Sequence, residues 1–262
     1  QDGKGRTIQA LKNLSRSSLG NYDLMLTLDE VIQFTAEHHL KKQVDRYKAD
    51  SGMVVVMDPY SGEIYAMANV PQFNPNNFNA FPRETWKNNA VVSSYEPGSI
   101  FKPIVAAAAI DKGVAQPHDR FFCENGSFKV GKNKIGEADN HKFGSLSVKE
   151  IIAKSSNIGA IKIAQKLGKN FFYEYIQKFG FGEKPGVRLP GVSSGLLGGR
   201  RSWTDYSLAS ISFGHEIAVT PLQMVAALSA IANGGMLMEP HITKALMRDG
   251  KQYRPMVHVQ DT

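Results

Sequence analysis

Tyr95-Glu96-Pro97-Gly98-Ser99-Ile100-Phe101-Lys102-Pro103, followed by the apolar, alanine-rich run Ile104–Ile110, is the stretch that decides how this chain is built. Pro97 and Gly98 interrupt any regular structure upstream. Pro103 fits only a first helical turn, where a missing N–H and a bulky ring do no harm. The run therefore reads as a buried helix that begins beside Ser99 and is capped by Gly113. Ser99 then stands at the helix N-terminus, with Lys102 one turn along on the same face. An amine placed there can take the serine's proton, and unpaired N–H groups at the helix end favour the developing negative charge. Ser-x-x-Lys occurs once in the 262 residues. The competing reading is a serine cap followed by a surface lysine. Against it, Lys102 heads an otherwise uncharged helix, where an amine needs partners or a task.

A second polar site lies downstream. Ser147 and Glu150 form a capping-box signature opening a short helix with Val148, Ile151 and Ile152 as its apolar residues. Another apolar run, Ile158–Leu167, ends at Gly168. Ser155-Ser156-Asn157 interrupts the pair, so Ser155 and Asn157 can face outward together from a bend. An ordinary helix–helix turn would use the same residue types.

Other segments set the frame. Residues 1–20 read as a linker or strap, and Tyr22–Leu28 as a strand. Thr27 with Glu30 predicts a capped helix to about Lys48, its stripe being Leu28, Ile32, Ala36, Leu40, Val44 and Tyr47. Val54–Met57 and Glu63–Ala68 read as strands joined by Asp58-Pro59-Tyr60-Ser61-Gly62, the first apolar on both faces and so central in a sheet. Pro71–Pro82 and residues 182–201 are irregular, with a helix over Asn170–Phe179 between them. Thr220-Pro221-Leu222-Gln223 combines an N-cap, an N1 proline and an N3 glutamine, a strong helix start. That helix stops at Gly234-Gly235, and a hairpin turning at Asp249-Gly250 follows. Strands early and late with helices between them specify an α+β domain, an antiparallel sheet with an inserted helical lobe.

Composition bounds the function. The hydrophobic share of 42% and charged share of 21% suit a globular domain with one sizeable core. No apolar run approaches the length of a membrane span. The net charge of +7 is spread along the chain, and no zinc-finger spacing, phosphate-binding Gly loop or RNA-binding aromatic run accompanies it. That pattern excludes nucleic acid as a partner and fits weak attraction to an anionic wall or membrane face. Cys123 stands alone, so there is no internal disulfide, and it reads as a small buried hydrophobe. His38 and His39 are adjacent and cannot share a helix face as metal ligands would.

The combination resembles the penicillin-reactive serine acyl-transferases, which carry Ser-x-x-Lys with a Ser-x-Asn motif. Residues 95–103 are similar to the active-site segment of class B penicillin-binding proteins, Met53–Met67 to their first strand pair, and Lys154–Gly159 to their second motif. Ser212-Phe213-Gly214-His215, leading into Val219–Gln223, resembles the segment before their third motif. The likeness runs from about Leu24 to Pro240. Cys123-Glu124-Asn125-Gly126 and the Pro190–Trp203 loop place it nearest the division-specific, septal peptidoglycan transpeptidases. The third motif itself, Lys or His followed by Thr or Ser and then Gly, does not occur. Lys129-Val130-Gly131 has the wrong middle residue. On this resemblance residues 21–262 are a transpeptidase domain lacking its C-terminal strands, with an N-terminal module and membrane anchor upstream.

The resemblance implies a penicillin-binding/β-lactamase-like transpeptidase fold: an antiparallel five-stranded sheet flanked by helices, with an inserted helical subdomain. It implies Ser99 as nucleophile and Lys102 as general base, neutralised by burial and a neighbouring positive charge. Ser155 would relay the proton, and Asn157 would bind the substrate amide and orient Lys102. Neither metal nor cofactor is needed. Peptidoglycan stem peptides and β-lactams are the implied ligands, and cell-division or wall-synthesis membrane proteins the implied partners. The implied location is the bacterial envelope, on the outer, periplasmic face of the cytoplasmic membrane. Competing readings are a β-lactamase, a penicillin sensor and a non-catalytic wall-synthesis scaffold. Gly191-Val192-Ser193-Ser194-Gly195 also matches the G-x-S-x-G nucleophile elbow, but lacks the strand before and the helix after that an elbow requires.

Overall fold

A computed structural model describes residues 22–248, 251–253 and 259–261, so the expected strap over 1–20 and the Asp249-Gly250 turn lie outside the described residues. The chain starts with strand β1 (Asp23–Leu26), helix α1 (Glu30–Tyr47) and a hairpin of β2 (Gly52–Met57) and β3 (Ile64–Val70). Helices α2 (Asn89–Val92) and α3 (Lys102–Asp111) follow. Next come the short strands β4 (Arg120–Phe122), β5 (Ser127–Val130), β6 (Asn133–Gly136) and β7 (Ser145–Ser147). Helices α4 (Val148–Ala153), α5 (Asn157–Leu167) and α6 (Lys169–Lys178) are consecutive. Strand β8 (Leu196–Leu197), helix α7 (Asp205–Ser212), strand β9 (Ile217–Ala218) and helix α8 (Pro221–Ala232) lead to β10 (Met236–Met238), β11 (Thr243–Arg248), β12 (Lys251–Tyr253) and β13 (Val259–Asp261).

Every strand ladder is antiparallel, as the α+β reading requires. The main sheet is split: β1-β11-β12 form one ladder and β2-β3 another. They meet at an isolated parallel bridge between Glu63 and His241, where Ile64 N–H donates to His241 O at 3.0 Å. Among the described residues these two ladders hold five strands. Strand β2 was expected to be central but pairs only with β3 among the described residues. Its two apolar faces have another cause. Helix α1 covers one side, placing Leu40 and Val44 beside Gly52, and α8 covers the other, packing Leu222 and Ala226 with Met57. A strand sandwiched between helices reads as apolar on both faces wherever it sits in its sheet.

The start of α1 differs from expectation. Asp29, not Thr27, is the N-cap, its side chain accepting from Ile32 N at 2.9 Å. Thr27 N–H instead donates to Ile242 O at 2.9 Å, extending the β1 pairing, and its buried hydroxyl donates to Ile64 O at 2.6 Å. Sheet pairing holds Thr27 extended, so the helix begins two residues later. Of the stripe, Leu40 is buried and Ile32, Ala36 and Val44 half-buried, whereas Leu28 and Tyr47 are exposed. The capping boxes at Ser147/Glu150 and Thr220/Gln223 form as read, with Pro221 in the first turn of α8.

The largest apolar core lies among the helices. Phe101, Ile104, Ile151, Ile158, Ile163, Phe172, Ile176, Phe181 and Ile211 are nearly fully buried in one cluster. Burying each stabilises by roughly 1.5–3 kcal/mol relative to exposure. Ala106, Ala108 and Ala109 leave no bulk on α3, which lets α5 and α8 approach it closely. Helix α3 is therefore the fixed axis of the helical lobe, and whatever stands at its N-terminus is held rigidly.

Candidate active site

Ser99 lies in a single 3-10 turn, Gly98–Phe101, that runs straight into α3 at Lys102. In this tighter helix residues i and i+3 eclipse, so the tetrad spacing stacks the lysine over the serine. Lys102 Nζ is 3.1 Å from Ser99 Oγ. Phe101, completely buried and packed on Phe181 with ring centroids 5.2 Å apart, fixes the turn from below. Ser99 itself is exposed. From the other side, Gly98 N–H donates to Gly214 O at 3.0 Å, and Tyr95 and Val219 exchange backbone hydrogen bonds of 3.0 and 2.9 Å. The Glu96 carboxylate accepts from Glu216 N at 2.9 Å and lies 3.1 Å from His215 Nδ1. The segment Gly214–Val219 thus clamps the approach to Ser99.

Lys102 reaches across to the second site. Its Nζ donates to Ser155 O at 2.5 Å and lies 2.9 Å from Ser155 Oγ, so one amine bridges two hydroxyls. Only 2% of Lys102 is accessible to solvent. Burial lowers its pKa from that of an ordinary lysine to about 8, against an opposing pull from Glu137 that favours the ammonium. The expected positive neighbour is therefore replaced by a negative one. Desolvation alone lowers the affinity of this amine for a proton. Ser155 adopts a left-handed backbone conformation, φ +54, between the end of α4 and the N-cap of α5. That conformation is uncommon for a residue with a side chain, and it turns both Ser155 oxygens toward Nζ.

Asn157 is the first residue of α5 and half-buried, its Nδ2 donating to Gly136 O at 3.0 Å. The hydrogen bonds of Lys102 go to Ser99 and Ser155. Ser156 is fully buried and caps α5 through Gly159 N at 2.9 Å. Its hydroxyl donates to Glu137 Oε1 at 2.6 Å, while Asn157 N–H donates to Glu137 Oε2 at 2.5 Å. The sequence reading did not single out Glu137. It sits 20 residues from Asn157 in an irregular stretch after β6, where no local periodicity marks it. Cys123 is buried as expected, and burial raises its thiol pKa.

Ser193 lies in a loop. Its backbone N–H donates to Val91 O at 2.9 Å, and its hydroxyl accepts from Gly195 N and pairs with Ser94 Oγ, each at 3.1 Å. With no base beside it, Ser193→Ala should leave any acylation rate within about twofold of the parent, measured with a fluorescent penicillin. Among the described residues no His, Cys, Asp and Glu group has the makings of a metal site. No described helix is long and apolar enough to cross a membrane. A pocket of about 300 Å³ beside α8 and β10, lined by Phe179, Glu183, Gln223, Leu237 and Glu239, includes none of the site residues.

Residues 52–262 match the family model of the penicillin binding protein transpeptidase domain. The chain is 32% identical over 244 residues to the peptidoglycan D,D-transpeptidase FtsI of Escherichia coli, covering 93% of this chain and 40% of that protein. It is 34% identical over 224 residues to the stage V sporulation protein D of Bacillus subtilis, covering 85% of this chain and 34% of the relative. The chain spans less than half the length of these curated relatives. Among solved structures, penicillin binding protein 3 of Mycobacterium tuberculosis superposes with a TM-score of 0.86 at 31% identity, over 93% of this chain and 55% of the other. That protein has also been solved in complex with aztreonam and with ampicillin. A shared fold, a family match over four-fifths of the length and a buried lysine on the Ser-x-x-Lys serine agree: this chain belongs to the penicillin-binding-protein transpeptidase family.

Proposed function

We propose that this chain is the acyl-transferring domain of a septal-type peptidoglycan DD-transpeptidase. The observation that carries the reading is a single buried amine, Lys102 Nζ, within hydrogen-bonding distance of both Ser99 Oγ and Ser155 Oγ. Neutral Lys102 takes the Ser99 proton as Oγ bonds to the carbonyl carbon between the two terminal D-alanines of a stem peptide. The Ser99 backbone N–H, at the start of the helix, stabilises the oxyanion. The C–N bond then breaks, and the proton passes from the Lys102 ammonium through Ser155 Oγ to the departing D-alanine amine. An amine of a second stem peptide attacks the ester. Its proton returns by way of Lys102 to Ser99 Oγ, leaving an amide cross-link and free enzyme. Asn157, at the rim, holds the amide of the donor peptide. β-Lactams present a strained amide to the same hydroxyl. The site works on the outer face of the cytoplasmic membrane, beside other wall-synthesis and division membrane proteins.

The test is intact-mass measurement of the full-length protein after exposure to fluorescent penicillin, with the labelled peptide mapped. One long-lived adduct within residues 95–103 is expected. Because only the neutral amine can accept the proton, the acylation rate should rise with pH through about 8 and then level off. No adduct, or label mapped elsewhere, would sink the reading. Rapid hydrolytic turnover of nitrocefin would instead indicate a β-lactamase.

A further inference from the structure

We propose that Glu137 is a positioning residue for acyl transfer, its two carboxylate oxygens holding the Ser155–Asn157 turn against Lys102. The inference rests on acyl transfer at Ser99. Glu137 is 8% exposed, and both of its oxygens are engaged by consecutive residues of the turn, the Ser156 hydroxyl and the Asn157 N–H. A buried carboxylate is costly unless it is fully hydrogen-bonded, and bonds to a charged acceptor are about twice as strong as neutral ones. Here those bonds also meet the N-terminus of α5, where the helix dipole favours an anion.

The consequence falls on Ser155. Its left-handed backbone is unfavourable for a residue with a side chain and persists only where neighbours over-determine it. Upstream, Ser155 N–H and Ser156 N–H are tied to Ile152 O and Ile151 O at 3.1 and 2.9 Å. Downstream, Glu137 fixes the next two residues. These anchors hold Ser155 on both sides, with its carbonyl and hydroxyl both on Nζ. Glu137 touches neither Ser99 nor the Lys102 amine by hydrogen bond, so it acts through the turn and through its charge.

The charge acts in a definite direction. A negative group near Lys102 stabilises the ammonium and works against burial. The Cys123 thiol is pushed up by burial and so stays neutral, Lys162 is paired with Glu124 at 2.5 Å, and Lys154 lies 5.9 Å over the Phe143 ring. Glu137 thereby lowers the fraction of neutral amine at neutral pH while it holds the turn rigid.

Penicillin acylation rates of the full-length protein, measured across pH 6–10 for Glu137→Gln and Glu137→Ala, test this. Gln is nearly isosteric, removes the charge and keeps one acceptor oxygen for the turn, so the rising limb of the profile should move to lower pH. Ala removes both hydrogen bonds as well, and its plateau rate should fall about 10–100-fold as the bend loosens. A Gln profile whose limb coincides with the parent's would overturn the proposal, even if its rate were lower at every pH, because a merely structural residue would behave so. Parent-like plateaus in both variants would overturn it too. Should Ala fail to fold, the position of the Gln limb decides alone. Failure of acyl transfer itself is distinguishable, since the parent would then form no adduct.

Discussion

Lys102→Ala is expected to lower the rate of penicillin acylation by about 10³-fold while the protein remains folded. Ser99→Ala should abolish it. Among the described residues the Lys102 amine is the only basic group placed on both hydroxyls, and no histidine or carboxylate stands in its place at Ser99. A solvent base cannot substitute for it, because the amine is held in place before substrate arrives. Stability should change little, by no more than ~2 kcal/mol. Stranding the Ser155 oxygens is unfavourable, but an amine no longer has to be desolvated. The measurements are stopped-flow acylation with a fluorescent penicillin and urea unfolding of the same samples. A Lys102→Ala protein that acylates within tenfold of the parent would remove Lys102 from the mechanism. Near-complete unfolding would make the lysine a packing residue.

Gly214→Ala is expected to destabilise by ~2–4 kcal/mol and to slow acylation severely, although residue 214 carries no chemistry. Two penalties combine there. The backbone of Gly214 is left-handed, φ +84, and an added Cβ would stand 2.5 Å from Gly98 N and closer still to Gly98 O. Relief requires separating the two segments, which breaks the 3.0 Å bond from Gly98 N–H to Gly214 O that seats the Ser99 turn. Gly98→Ala is the control. Its φ is +58, but nothing lies within 4 Å of the added carbon, so it bears the conformational cost alone, about 1 kcal/mol. Urea unfolding separates the two. Equal loss in both variants would show that the close approach of the segments is unimportant.

Where the sequence reading succeeded, the deciding interactions were local. The capping boxes at Ser147/Glu150 and Thr220/Gln223 are closed by bonds three residues apart, so the letters suffice. The same holds for Ser99 and Lys102, whose spacing is an i,i+3 relation within one turn. The G-x-S-x-G match at 191–195 could be set aside for the same reason, since its local context lacks an elbow's strand and helix. Thr27 shows the limit. Its hydroxyl is of a type that caps helices, but pairing with a residue more than 200 positions away pulled it into a strand.

The sequence by itself determined the α+β class, the serine–lysine turn and the helix that carries it, because short-range sterics and hydrogen bonding suffice to specify them. Tertiary structure alone decided that a glutamate, rather than a cation, faces Lys102, that Ser155 presents both oxygens to its amine, and that β2 lies between two helices. Each of these depends on groups brought together across the fold, and both the desolvation of a charge and its Coulomb partners are set by distance in space, not by position along the chain.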